Sequence, residues 1–124
     1  MHQIDTTQAP AAIGPYSQAI AHGDLLFVSG QLPLDAATGQ LVGTDATAQA
    51  TRCLENLRAI AEAAGTRLDR TVKTTVLLAD LAAFQAVNEV YATFFSAPYP
   101  ARACYQVAAL PKGALVEIEA VVAL

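Results

Sequence analysis

Two kinds of hydrophobic spacing alternate along this chain and predict both helices and strands. Between residues 45 and 64, apolar side chains recur at steps of three and four, which places them on one stripe of a helix. A second stripe with the same spacing runs through residues 81–95. Residues 25–29 and 71–79 are instead short runs of β-branched and other apolar residues, which are typical of strands. The pattern therefore predicts a domain that mixes strands with two helices.

Turn and cap residues set the boundaries of these elements. Thr44 or Asp45 can cap the first helix, Gly65 suits its left-handed end, and Asp80 can cap the second helix. The remaining predicted elements are an extended entry segment at 1–14, a hairpin of strands 17–21 and 25–29, a loop at 33–39, strands at 103–109 and 115–122, and a turn at 111–113. The order β-β-α-β-α-β-β predicts an α+β sandwich with both helices on one face of a mixed sheet.

The strand at 25–29 is apolar on both of its faces. Two helices can cover only one face of a sheet of four or five strands, and bare apolar sheet surface is a liability unless a partner covers it. We therefore expect a homo-oligomer that packs through the second face. The alternative is a curved sheet that hides this face within one chain.

The last strand, at residues 115–122, also contributes side chains to this second face of the sheet. Apolar residues at 116, 118 and 120 alternate with Glu117 and Glu119, so both glutamates point away from the helices if the apolar set meets them. Arg102, Cys104 and Gln106 share one parity on the neighbouring strand. We therefore expect a cation and two carboxylates to converge where subunits meet.

Composition narrows the class of protein. The chain has 124 residues, 54% hydrophobic and 15% charged, which predicts one folded domain spanning 1–124. Seven Lys and Arg against eleven Asp and Glu give a net charge of −4, which disfavours a nucleic-acid partner. No apolar run is long enough for a membrane span, and the N-terminus lacks a secretory pattern. Two cysteines suit a reducing cytoplasm, and two histidines disfavour a metal site or a histidine base.

Arg102 and Glu117 are the main candidates for chemistry. Arg102 follows Pro100, which stiffens the approach to a strand, and a guanidinium held there can grip a carboxylate through two parallel hydrogen bonds. The alternative is a structural ion pair with Glu117 or Glu119. Glu117 can position or activate a water as a general base, or it can be a glutamate on the exposed face of a strand.

Other candidates carry weaker signals. Tyr16 follows Gly14-Pro15 and can close a pocket over a small ligand or simply pack. Ser29-Gly30 ends a strand, where a glycine permits close approach of a ligand to the backbone. Asn88 lies among apolar residues of the second helix, where an amide usually satisfies a buried backbone group.

Neither cysteine is predicted to act as a nucleophile. Cys104 would need a nearby base to lower its pKa, and no histidine is placed to do so. A small, half-buried strand residue is the favoured interpretation of Cys104. Cys53 fits the apolar stripe of the first helix and needs no chemical role.

Several motifs together resemble the RidA (YjgF) family of reactive intermediate deaminases. They are IGPYSQA at 13–19, VSGQLP at 28–33, VKTTV at 72–76, VN at 87–88, YPARAC at 99–104 and EIEA at 117–120. The resemblance extends from about residue 9 to residue 122. It implies a chorismate-mutase-like fold assembled as a homotrimer, with three sites in the clefts between subunits. It also implies cofactor-free hydrolysis of 2-imino acids, in balance with 2-enamino acids, to 2-oxo acids and ammonia.

The resemblance also implies roles for individual residues. Arg102 would bind the substrate carboxylate, and Glu117 would hold the hydrolytic water. Tyr16 would border the pocket, and Ser29 and Gly30 would line it. The Cys104 backbone would form hydrogen bonds with the bound acid, and Asn88 would be a supporting residue. Ala103 stands where many relatives have Ser or Thr, so one hydroxyl near the site is missing. Three other functions stay open: a non-catalytic binder of small 2-oxo or carboxylic acids, an endoribonuclease (a label often attached to this family) and a chaperone-like surface.

Overall fold

The fold is a single six-stranded mixed sheet with two helices, seen in a computed structural model that describes all residues 1–124. The strands are β1 (His2–Ile4), β2 (Ala19–His22), β3 (Leu25–Gln31), β4 (Thr71–Leu78), β5 (Ala101–Gln106) and β6 (Val116–Ala123), and the helices are α1 (Ala46–Ala63) and α2 (Phe84–Phe94). The spatial order is β1-β2-β3-β6-β4-β5, in which only β4 and β5 are parallel. The α+β class is confirmed. Neither helix combines the length and the apolar composition that a bilayer crossing requires.

Both helices pack on the same face of the sheet, as predicted. The core joins the apolar stripes of α1 and α2 to the inward side chains of β3, β4 and β6. Leu26, Val76 and Ile118 represent these three strands, and each is 0% exposed. Truncating any one of them to Ala would leave a cavity and cost about 2–5 kcal/mol of stability.

The helix caps agree with the sequence at α1 and differ at α2. The Asp45 carboxylate accepts a hydrogen bond from the backbone N–H three residues later at 2.8 Å, and Gly65 adopts φ 84° just beyond the end of α1. Asp80 instead caps a short 3-10 turn, Leu81–Ala83. The α-helix proper is Phe84–Phe94, shorter than the predicted 81–95, because the polar cap and the apolar stripe belong to two successive helical segments.

Two strand predictions are corrected. Residues 1–14 are not only an entry segment, because β1 pairs antiparallel with β2 and adds a sixth strand. This strand is short and polar, so it carries no hydrophobic alternation that sequence reasoning can detect. β5 occupies Ala101–Gln106 instead of 103–109 because its parallel pairing with β4 begins at Lys73↔Ala101 and ends at Leu78↔Gln106.

The second face of the sheet, here called the open face, is not covered by any element of the chain. Phe27 and Tyr105 point from it and are 46% and 51% exposed. Ile20, Leu77 and Val121 lie on the same face and are only partly buried. The chain does not curve to hide this apolar surface, so the single-chain alternative is wrong. A homo-oligomer that covers it stays a prediction.

Candidate functional site

The sheet separates Arg102 from Glu117. Arg102 pairs with Thr74, whose side chain is 0% exposed beneath α2. Glu117 and Glu119 pair with Leu77 and Thr75, which point to the open face. Residues directly opposite each other on neighbouring strands share a face, so Arg102 lies on the helix face. One chain therefore does not bring this cation and the two carboxylates together, and their convergence where subunits meet stays a prediction.

Arg102 sits in a group of α2 side chains, here called the arginine seat: Phe84, Asn88, Tyr91 and Arg102 itself. Its Nη1 donates a hydrogen bond to Asn88 Oδ1 at 2.8 Å. Its guanidinium carbon lies 4.9 Å from the centre of the Tyr91 ring and 5.5 Å from that of Phe84. Asn88 therefore holds a charged side chain and does not satisfy a buried backbone group, which corrects that interpretation and agrees with a supporting role.

No carboxylate pairs with Arg102. The chain has two salt bridges within 4.0 Å, Arg52–Glu55 and Arg67–Asp69, and neither involves Arg102. The alternative of a structural ion pair with Glu117 or Glu119 is therefore wrong for the single chain. The guanidinium is exposed to solvent and keeps hydrogen-bond donors beyond the one given to Asn88. The Arg102 guanidinium is therefore a cation held in one orientation, with no carboxylate of the chain paired to it.

Phe84 and Tyr91 belong to the apolar stripe predicted at residues 81–95, and that stripe gave no sign of their contact with Arg102. Tyr91 is anchored by a 2.7 Å hydrogen bond between its hydroxyl and that of Thr74, which fixes the ring under the guanidinium. Burial raises the pKa of the Tyr91 hydroxyl, so it stays protonated. Residues 84, 88 and 91 follow each other at steps of four and three, which gives one helix face. The amide of Asn88 between two aromatic residues on that face was the sequence signal that could have indicated a contact with a polar group.

The open face carries a second group, here called the carboxylate pocket: Tyr16, Ser29, Gly30 and Glu117, which line one depression. Gly30 lies in an irregular stretch of β3 between the pairs at Val28 and Gln31. A Cβ on Gly30 would lie 3.0 Å from the Glu117 Cδ atom, closer than ordinary contacts allow. Gly30 also lacks the positive φ of the other six glycines, so its role is to leave room for the carboxylate.

The environment of Glu117 favours its neutral form. Burial raises the pKa of its carboxyl above the ordinary value of 4.5, and the negative charge of Glu119 on the same face raises it further. No cation lies within 4.0 Å of either carboxylate. A half-buried carboxylate with a raised pKa is a better general base near neutral pH than an exposed one. Glu117 is therefore a carboxyl group with no cation beside it.

Ser29 and Tyr16 shape the wall of this pocket. The Ser29 hydroxyl donates to the Ser17 carbonyl at 2.6 Å, which ties β3 to the segment that precedes β2. The Tyr16 hydroxyl accepts a hydrogen bond from the Ile13 N–H at 3.3 Å, and the side chain is 52% exposed. A long hydrogen bond and an exposed ring describe a wall that can move.

The remaining candidates lie near the site without contributing a reactive group. Burial raises the pKa of the Cys104 thiol, partly offset by the positive charge of Arg102, so the thiol stays protonated at neutral pH. Cys104 is half-buried and Cys53 is fully buried, as predicted. Ala103 lies on the open face opposite Thr75. β5 is the edge strand of the sheet, so backbone groups around Cys104 point outward and can pair with another chain.

Comparison with known proteins gives consistent matches. A family model described as endoribonuclease L-PSP matches residues 6–124. The chain is 67% identical to the RutC family protein y4sK of Sinorhizobium fredii, over 98% of this chain and 96% of that protein. It is 54% identical to the 2-iminobutanoate/2-iminopropanoate deaminase of Mus musculus, over 95% of this chain and 87% of that protein. The crystal structure of RidA from Psychrobacter superposes with a TM-score of 0.96 at 48% identity, covering 100% of both chains.

Proposed function

The chain belongs to the endoribonuclease L-PSP family, which is the RidA (YjgF) family, and from this premise we propose that it hydrolyses 2-imino acids to 2-oxo acids and ammonia. The observation that carries this proposal is the pair of complementary half-sites: an oriented cation on one face of the sheet and a half-buried carboxylate on the other. The name of the mouse relative supports the same reaction. The proposed substrates are short, 2-iminobutanoate and 2-iminopropanoate.

We propose that the active site forms between two copies of the chain in a homotrimer. Arg102 of one copy would then face Glu117 of the next, since one chain cannot bring them together across its own sheet. Three features support this assembly: the uncovered apolar open face, the free edge of β5 and the unpaired charge on each half-site.

The carboxylate of the substrate would bind Arg102. A guanidinium matches a carboxylate through two parallel N–H···O hydrogen bonds, and the arginine seat holds it in one direction before the substrate arrives. This grip fixes the imine carbon relative to the carboxylate pocket. Orientation of this kind supplies a large part of the rate enhancement when the attacking group is a single water.

Glu117 would handle the protons. The imine would react with its nitrogen protonated, which makes its carbon electrophilic. As the water oxygen bonds to that carbon, the C=N π electrons move to nitrogen and the Glu117 carboxylate accepts one water proton, which leaves a neutral carbinolamine. The protonated Glu117 then donates that proton to the amine of the resulting carbinolamine. As the C–N bond breaks and ammonia leaves, the Glu117 carboxylate accepts the proton of the carbinolamine hydroxyl, which becomes the carbonyl of the 2-oxo acid. Glu117 then passes this proton to the ammonia, which departs as ammonium. Glu117 ends the cycle in its initial state, as general acid–base catalysis requires.

The direct test supplies the imine in situ and measures release of the 2-oxo acid. The protein should accelerate release, and Arg102→Ala should lose about 2–5 kcal/mol of transition-state binding, roughly 30- to 5,000-fold in kcat/KM. Arg67→Ala is the matched control, because Arg67 is an exposed arginine paired with Asp69 away from both half-sites. Equal rates with and without protein would contradict the proposal. If the protein still bound 2-oxo acids in that case, it would be a non-catalytic binder of such acids.

RNA is the second substrate to test because the family description names a ribonuclease. Neither half-site contains a histidine, since His2 and His22 are exposed on β1 and β2. The net charge of −4 also opposes binding to a phosphate backbone. We expect no RNA cleavage that follows the protein through purification. Cleavage that persists in Arg102→Ala would indicate a separate activity.

A further inference from the structure

A depression with a mainly apolar surface, here called the chamber, adjoins the carboxylate pocket, and Gln18, Gln31 and Thr38 are polar residues in its lining. It has a volume of about 500 Å³, within the usual range for small-molecule sites. Tyr16, Gly30, Leu32 and Pro111 line both the chamber and the pocket, so the two spaces share a wall. The chamber has further apolar walls of its own, supplied by Pro10, Ala11, Ile13, Leu34 and Ala36.

We propose that this chamber is a subsite for the linear aliphatic side chain of longer 2-imino acids. The inference rests on the proposed function and names its substrate range. A substrate whose reactive carbon lies beside Glu117 would occupy the same depression as Tyr16 and Gly30, so its side chain could reach the shared wall. An apolar chain that enters the chamber leaves water for an apolar lining, and each added methylene strengthens binding by about fourfold.

Tyr16 is the movable part of the wall. One long hydrogen bond, 3.3 Å from the Ile13 N–H, holds its hydroxyl. The loop that carries both residues is exposed, and the Ile13 side chain is 83% exposed. Rotation of the ring away from Gly30 would join the two spaces at a cost of little more than one weak hydrogen bond.

The opposite wall is held in place. The Lys112 amine donates to the Gly39 carbonyl at 3.0 Å, which links the turn before β6 to the loop at residues 35–40. Lys112 has φ 60°, a left-handed conformation that non-glycine residues rarely adopt. The Lys112 charge is therefore partly engaged at the rim, and the chamber offers an acid no deeply placed cation. This favours a hydrocarbon side chain over a second carboxylate.

Binding of stable 2-oxo acids tests the subsite without relying on turnover. We expect 2-oxohexanoate to bind the wild-type protein up to about fifteenfold more tightly than 2-oxobutanoate, because it carries two more methylenes. Calorimetric titration of both acids measures this ratio. Ala36→Phe and Ala11→Phe fill the chamber from two sides and should each reduce the ratio to near one. Ala63→Phe, on the exposed surface of α1, is the matched control and should keep the wild-type ratio.

The same variants should change the ratio of kcat/KM for the six-carbon and four-carbon imines in parallel. A ratio that neither chamber variant alters would overturn the subsite, even if both imines are hydrolysed and the proposed function stands. Tighter binding of 2-oxoglutarate than of 2-oxohexanoate would also overturn it, because Lys112 would then select a dicarboxylate. Absence of both imine hydrolysis and 2-oxo acid binding in the wild type would contradict the proposed function itself.

Discussion

The arginine seat and the carboxylate pocket are built in opposite ways. The seat orients a fully charged group: an amide and two aromatic rings hold Arg102 at the exposed edge of the helix face. The pocket makes a charge costly: burial and the neighbouring Glu119 raise the pKa of Glu117 on the open face. These properties suit the roles proposed above, in which the seat binds an anion and the pocket exchanges a proton.

Under the proposed function, a single chain holds both half-sites without bringing them together. Each half carries a charge with no opposite charge within 4.0 Å, and the sheet lies between them. Had the two met within one chain, Arg102 would stabilise the ionised form of Glu117 and lower its pKa. In the proposed trimer, a substrate carboxylate bound to Arg102 would neutralise the guanidinium and so limit this lowering of the Glu117 pKa.

Displacing the Glu117 carboxylate should affect the pocket without affecting the seat, and it is the largest effect expected here. Gly30→Ala places a Cβ 3.0 Å from the Glu117 Cδ atom, so the carboxylate must shift. The carboxylate has to give by at least a few tenths of an ångström, so we expect kcat to fall by up to roughly a hundredfold, the cost that a misplacement of about 1 Å can reach. Binding of 2-oxobutanoate should change little, since the seat holds its carboxylate. Steady-state kinetics and calorimetry measure the two quantities.

The Glu117→Gln background provides the control for this variant. If Gly30→Ala acts through Glu117, adding it to Glu117→Gln should reduce kcat little further. A full additional hundredfold loss in the double variant would show that Gly30→Ala damages the fold or another part of the site. Thermal unfolding of each variant separates those two causes.

Loosening Arg102 should affect the seat without affecting the pocket. Asn88→Ala removes the 2.8 Å hydrogen bond to Nη1, a bond to a charged group worth about 1–2 kcal/mol. We expect kcat/KM to fall roughly 5- to 30-fold, mainly through a higher KM. Gln85→Ala, an exposed position on α2 before Asn88, should leave both parameters unchanged. A loss confined to kcat would contradict the role given to Asn88.

The pH dependence of kcat/KM should also depend, more weakly, on the charge of Glu119. Glu119 is the only other carboxylate in its lining, and its charge raises the pKa of Glu117. Glu119→Gln therefore lowers that pKa, so Glu117 is ionised at lower pH and the acid limb of the kcat/KM profile moves to lower pH. We expect a shift of less than about one pH unit, because Glu119 is exposed and solvent screens its field. Glu62→Gln on α1 is the remote control, and a shift to higher pH would contradict the assignment.

Sequence periodicity was sufficient for most of the fold. The stripes of α1 and α2, the strand parity of β6 and the uncovered face all follow from where apolar side chains recur. The sequence did not predict β1, because its three residues have no hydrophobic alternation and its pairing with β2 depends on tertiary contacts. The start of α2 was misplaced because Asp80 caps a 3-10 turn with the same local signal as an α-helix.

The site was harder to predict than the fold for one physical reason. Parity along β5 shows that Arg102, Cys104 and Gln106 share a face, but not which face, because that depends on the register with β4. The role of Asn88 likewise depends on a contact between α2 and the start of β5, since Asn88 and Arg102 are 14 residues apart along the chain. The residues were identified by resemblance, whereas their arrangement on two faces came only from the pairing of strands.

The central claim is that Arg102 and Glu117 act together only across two copies of the chain, and mixing two inactive variants tests it directly. Arg102→Ala and Glu117→Gln should each be nearly inactive alone. After joint unfolding and refolding in equal amounts, about one quarter of the shared sites should combine an intact Arg102 with an intact Glu117 from the neighbouring copy. Recovery of roughly that fraction of wild-type activity is the predicted result. No recovery, with mixed oligomers confirmed by mass, would contradict the account.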